Sequence, residues 1–121
     1  AVKALDHGAA GVIVSNHGGR QLDTAVTTAR ALVEVVEAVN ARGEVLVDSG
    51  IRLGTDVAKA LGLGASAVLV GRPALWGLGV GGHKGVTHAL NLIVEDFDRT
   101  MALIGVRSVA ELTSDLFVLP H

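Results

Sequence analysis

The sequence predicts an α/β fold built on a parallel sheet, and three observations carry the prediction. Residues 11–15, 44–48 and 67–71 are short, continuously apolar, β-branched runs of strand length. Helix-periodic stretches separate them, so strand and helix alternate, which implies right-handed parallel crossovers. The runs also lack polar alternation, a pattern that fits strands covered on both faces.

Each element has its own local reason. Residues 2–8 read as the end of a helix closed by Gly8. Residues 29–42 carry Leu32, Val35, Val36 and Val39 at helical spacing, with Arg30, Glu34 and Glu37 outside the stripe, and Gly43 stops the helix. The next connector begins near Thr55, where Thr55 and Asp56 supply helix-start chemistry, and ends at Gly62 or Gly64. Residues 73–82 are glycine-rich and read as a short helix or turn followed by a loop. Val86, Leu90, Ile93, Phe97, Met101 and Ile104 then follow at spacings of three and four, the best amphipathic helix of the chain, with residues 95–99 as its solvated face. Ser108 and Glu111 form a capping-box pattern that predicts a last short helix. Residues 116–121 are compatible with a tail or a strand-like segment.

Composition narrows the function. The chain has 121 residues, half of them apolar, no cysteine and a net charge of −2. Without a basic run there is no electrostatic footprint for nucleic acid, and no apolar stretch reaches the roughly 18 residues of a membrane span. A cytoplasmic setting is the expectation, with any upstream targeting or anchoring segment outside the sequence. His7, His83, His88 and His121 lack metal-ligand spacing, so no metal site is expected. Trp76 reads as packing at a rim or a subunit contact.

The chemistry concentrates in the loops after the strands. Ser15-Asn16-His17-Gly18-Gly19-Arg20-Gln21 places an imidazole and a guanidinium three residues apart on a glycine-hinged loop. An imidazole can take a proton from a hydroxyl or an alpha carbon, and a guanidinium fork can hold the adjacent carboxylate, a pairing suited to a 2-hydroxy acid. Asp23 is close in sequence and is better read as a turn residue. Asp48-Ser49-Gly50-Ile51-Arg52 follows the second strand and Gly71-Arg72 the third. Such loops can present backbone N–H groups and arginines to a phosphate.

These three segments, with residues 47–57 and 68–73 in the same order and spacing, resemble the FMN-dependent 2-hydroxy acid oxidase and dehydrogenase family. The resemblance covers essentially the whole chain. It implies strands six, seven and eight of a TIM (β/α)8 barrel, a fold that typically needs about 250 residues. Residues 1–121 are therefore expected to be the C-terminal portion of one barrel domain whose N-terminal portion lies outside this chain. It further implies FMN as cofactor, a small 2-hydroxy acid as substrate, and a homo-oligomer when complete. By the resemblance His17 is the active-site base and Arg20 grips the substrate carboxylate. Arg52 and Arg72 bind the FMN phosphate, Asp48 contacts the ribityl chain, and Ser49, Gly50, Ile51 and Gly71 line the cofactor. Ser15 touches the flavin. The family's upstream tyrosines, lysine and imidazole-orienting carboxylate have no counterpart here, so this chain alone is expected to be inactive or nearly so.

Two positions depart from the family pattern. Ser49 stands where glycine is usual, which matters if a positive φ is required. Leu53 stands where a second arginine is common. Two alternatives remain open at this point: a barrel isomerase or lyase for a phosphorylated metabolite, and a non-catalytic half-barrel assembly unit.

Overall fold

The computed structural model describes residues 1–118. Helix α1 (Val2–Asp6) leads into strand β1 (Gly11–Val14), followed by a 3-10 turn at His17–Gly19 and helix α2 (Thr28–Val39). Strand β2 (Glu44–Val47), helix α3 (Gly54–Gly62), strand β3 (Ala67–Val68) and helix α4 (Arg72–Ile104) complete the core, and two 3-10 turns follow at Val109–Glu111 and Ser114–Leu116. The fold is α/β, as the sequence predicts. The strands are parallel in the order β1-β2-β3, with Val14 beside Val47 and Val47 beside Val68.

One face of the sheet makes the core. Val14, Val45 and Val47 pack under Leu32 and Val39 of α2 and Val57 and Ala60 of α3. Leu32 and Val39 are each 1% exposed, so the apolar stripe of α2 is the centre of that layer. The opposite face departs from the expectation of strands covered on both sides, since Ile13 is 54% exposed. The reason is geometric: right-handed crossovers place both connecting helices on the same side of the sheet.

Several boundaries move for identifiable reasons. Helix α2 ends at Val39 rather than running to Arg42, because Asn40 and Ala41 turn left-handed at φ 47 and 58 and Asn40 N–H closes on the Val36 carbonyl. Helix α3 starts at Gly54, one residue before the predicted Thr55, and Asp56 supplies the expected cap, accepting from the N–H groups of Arg52 and Leu53 at 3.0 Å each. Strand β3 pairs over two residues instead of five.

The largest difference lies in residues 73–82. Read as a short helix or turn and then a loop, they are helical from Arg72 onward, with a break only at Gly81 and Gly82 (φ −144 and 57). Beyond the break the chain folds back, and Gly77 and Gly85 meet backbone to backbone with no room for a Cβ on either. Glycine is thus used there for close approach of two helical segments rather than for a loop. Gly79, by contrast, is helical and faces open space. Substituting Gly79→Ala should raise stability by about 0.5–1 kcal/mol, read as a higher denaturant midpoint at unchanged slope.

Residues 95–99 are not all solvated either. Phe97 packs against the core, and the Asp96 carboxylate accepts from Gly54 N–H at 2.7 Å, capping α3 from a helix 42 residues away. Asp98 and Arg99 do face solvent. The Ser108 and Glu111 pattern produces the 3-10 turn Val109–Glu111, where the Glu111 carboxylate accepts from Arg107 N–H at 3.1 Å. In the turn that follows, the Thr113 hydroxyl and the backbone hold the exposed Asp115 carboxyl below the usual carboxylate range. Phe117 then packs beside Ala58 and Leu112, and residues 119–121, including His121, lie outside the described part. No described helix is both long and apolar enough to cross a membrane.

Candidate functional site

The functional loops leave the C-terminal ends of the three parallel strands, so they gather at one end of the sheet. The first begins where β1 stops. Asn16 accepts from Gly18 N–H through its side chain at 3.0 Å and donates to the Val26 carbonyl at 3.2 Å, which bends the loop back on itself. His17 takes φ 54 in the process, with Gly18 at 67 and Gly19 at 71. The imidazole is thereby turned out of the strand direction and stands exposed at the rim.

The second loop follows β2. Asp48 N–H still pairs with the Val14 carbonyl at 3.1 Å, after which Ser49 and Gly50 turn at φ 66 and 95. Ile51 is buried and anchors the turn, whereas Arg52 projects outward. The third loop is short: β3 ends at Val68, Gly71 caps α4, and the helix starts with Arg72 and Pro73, proline being suited to a first helical turn.

A cavity of about 320 Å³ joins the three loops. Its walls include His17, Arg20, Asp48, Ser49, Gly50, Ile51, Arg52, Gly71 and Arg72, nine of the ten site residues read from the sequence. Ser15 is not among the lining residues; its hydroxyl instead accepts from His17 N–H at 3.2 Å and so acts on the loop. Leu69, Val70, Pro73 and Leu75 supply apolar wall that the sequence reading passed over. Asn16 was missed too, although an Asx residue directly before a glycine-rich turn is a usable sign.

Charge in the cavity is one-sided. Arg20, Arg52 and Arg72 form no ion pair among the described residues; the ion pairs are Arg42 with Asp6 and Arg99 with Asp96. The single carboxylate in the wall, Asp48, accepts from the Ser49 hydroxyl at 2.5 Å. Three exposed guanidinium groups around one hollow suit an anionic ligand with separate negative centres. Backbone donors add to this. The N–H groups of Gly50, Ile51 and Gly71 have no protein acceptor among the described residues, while those of Arg52, Leu53 and Gly54 are already taken by Asp56 and Asp96. A Cβ built on Gly50 or on Gly71 meets nothing within 4 Å, so the backbone there is open to a ligand. Trp76, 56% exposed, lines a separate apolar groove with Pro73, Val80 and Leu92. Among the described residues no three His, Cys, Asp or Glu side chains converge as a metal site.

Comparison with known proteins gives the family. The profile of the FMN-dependent dehydrogenase family matches residues 1–119, and the chain belongs to that family. An L-lactate oxidase from a Nostoc species is 53% identical over 93% of the chain. Among solved structures, a mandelate oxidase variant carrying a monooxide FMN adduct superposes with a TM-score of 0.88 at 52% identity over 93% of the chain. An active (S)-mandelate dehydrogenase variant does so with a TM-score of 0.90 at 46% identity over 94%. The chain spans about a third of the length of these relatives: 31%, 36% and 32% respectively. FMN is the cofactor of the family, and its members named here act on 2-hydroxy acids. Family membership leaves the isomerase or lyase alternative without support.

Proposed function

We propose that this chain is the C-terminal portion, strands six to eight, of a TIM-barrel enzyme that oxidises a 2-hydroxy acid to the 2-oxo acid with FMN. The observation that carries the reading is the convergence of His17, Arg20, Arg52 and Arg72 on one cavity, with no carboxylate partner among the described residues for any of the three arginines. The residues present fit the cofactor. Arg52 and Arg72 flank open N–H groups at Gly50 and Gly71, which is the donor set of a phosphate. Asp48 and the Ser49 to Ile51 turn line the same cavity as His17 and would meet the polyhydroxyl chain, and Ser15 supports the His17 loop through its backbone N–H.

When bound, FMN supplies the two-electron acceptor. The protein's part is to orient the acid and move one proton. Arg20 holds the substrate carboxylate through two parallel hydrogen bonds, which places the hydroxyl-bearing carbon beside the imidazole. The acid loses two protons and two electrons on becoming an oxo acid; the electron pair goes to the flavin and His17 takes one of the two protons, from the hydroxyl or from the alpha carbon, which requires a neutral ring at the start. The bare face of the sheet, with Ile13 54% exposed, and the unpaired outer edges of β1 and β3 are where the remaining barrel strands belong. A cytoplasmic, homo-oligomeric enzyme is the rest of this reading.

The test is a titration with FMN followed by anaerobic addition of lactate, glycolate and mandelate. Quenching of flavin fluorescence on binding, and bleaching of the bound flavin by at least one acid, is the expected result. Arg52→Ala and Arg72→Ala should each weaken FMN binding by at least about tenfold, the value of one charge-assisted hydrogen bond. Failure of the full-length protein to bind FMN, or bound flavin that no 2-hydroxy acid bleaches, would overturn the reading.

A further inference from the structure

Among the described residues four non-glycine residues adopt a positive φ, and two of them, His17 and Ser49, line the same cavity. A left-handed conformation costs a residue with a Cβ about 1–2 kcal/mol, so it persists only where neighbours hold it. At Ser49 three neighbours hold it: Thr28, Asp48 and Gly18. The buried Thr28 hydroxyl donates to the Ser49 carbonyl at 3.0 Å and fixes the backbone from helix α2. The Ser49 hydroxyl donates to Asp48 Oδ1 at 2.5 Å and accepts from Gly18 N–H at 3.0 Å.

We propose that the Ser49 hydroxyl is a positioning group that locks the His17 loop onto the Asp48 loop, so that the base is set in place by the segment that holds the cofactor. This rests on the flavin-site reading above. The direction of the link follows from its chemistry. A carboxylate only accepts, so the single hydroxyl proton is committed to Asp48 and the oxygen lone pairs are left for Gly18. Gly18 N–H is shared with Asn16, which belongs to the same loop and can shape it but cannot tie it to anything across the cavity. Ser49, 31 residues away in sequence, makes the tie across the cavity to the loop that bears the base. Gly18 is the residue next to His17, and a Cβ on it would lie 3.6 Å from the Arg72 guanidinium, so its position also sets the gap between base and phosphate end.

Ser49→Ala and Ser49→Gly separate this role from backbone strain, since both delete the hydroxyl but only Gly relieves the positive φ. Gly18 amide exchange should quicken by about 3- to 10-fold in both variants, the value of one net hydrogen bond. At saturating FMN turnover should fall by about tenfold in both, with hydroxy-acid KM changed less than about threefold, as expected when a reacting group loses alignment rather than substrate binding. Unchanged Gly18 exchange in Ser49→Ala would overturn the proposal. So would a Ser49→Gly variant that matches wild type while Ser49→Ala alone is impaired, because the effect would then be strain. If wild type binds no flavin, the site reading fails, and Gly18 exchange in the flavin-free variants still decides the link.

Discussion

Replacing His17 by asparagine is expected to lower turnover of a 2-hydroxy acid by about 10²- to 10⁴-fold while leaving FMN bound, the range for removing a general base. Asparagine is the informative substitute because position 17 sits at φ 54, a region that asparagine tolerates better than alanine or glutamine. The loop should therefore keep its shape through the Asn16 and Ser49 bonds to Gly18, and the lost rate belongs to the proton acceptor alone. The measurement is the rate of anaerobic flavin bleaching in a single turnover, which isolates the chemical step from reoxidation. A loss smaller than about tenfold would remove His17 from the role of base.

Gly54→Ala should cost about 3 kcal/mol or more. A Cβ at Gly54 would overlap the backbone of Asp96 and Phe97, which no side-chain rotation relieves. Either α4 moves away, opening the contact of Phe97 with the core, or α3 shifts and loses the 2.7 Å bond from Gly54 N–H to Asp96. Both routes also displace Arg52, two residues before, so FMN affinity should fall together with the denaturant midpoint. Equilibrium unfolding of the variant checks the first effect, and flavin titration below its midpoint checks the second. A Gly54→Ala variant of wild-type stability would mean that α3 and α4 do not touch as described.

How much of this was legible in the sequence depends on the reach of each interaction. Asp56 capping α3 lies within four residues of its partners and could be read directly. The cap from Asp96 to the same helix could not, because nothing near residue 96 marks a partner at residue 54, and the acidic run around it looks like an ordinary solvated face. Glycine misled in the same way. Gly77, Gly79, Gly81 and Gly82 look alike as loop signals, yet one is a packing contact, one is open helix and two form the break. Ser49 was visible as a departure from glycine, and its φ of 66 shows why the position matters. The hydroxyl's two bonds, one of them to a loop on another strand, were not visible.

The sequence by itself determined which segments form parallel strands and connecting helices, and that His17, Arg20, Arg52 and Arg72 stand in loops just after strands. Those are properties of periodicity and of neighbours a few residues apart. The tertiary structure alone decided that the three loops share a cavity, that its arginines have no ion-pair partner among the described residues, that the Ser15 hydroxyl accepts from His17 N–H, and that Ile13 stands exposed on the sheet face away from the helices. Parallel strands all deliver their C-terminal ends to the same side, so residues separated by some thirty positions meet there through packing that no local pattern encodes.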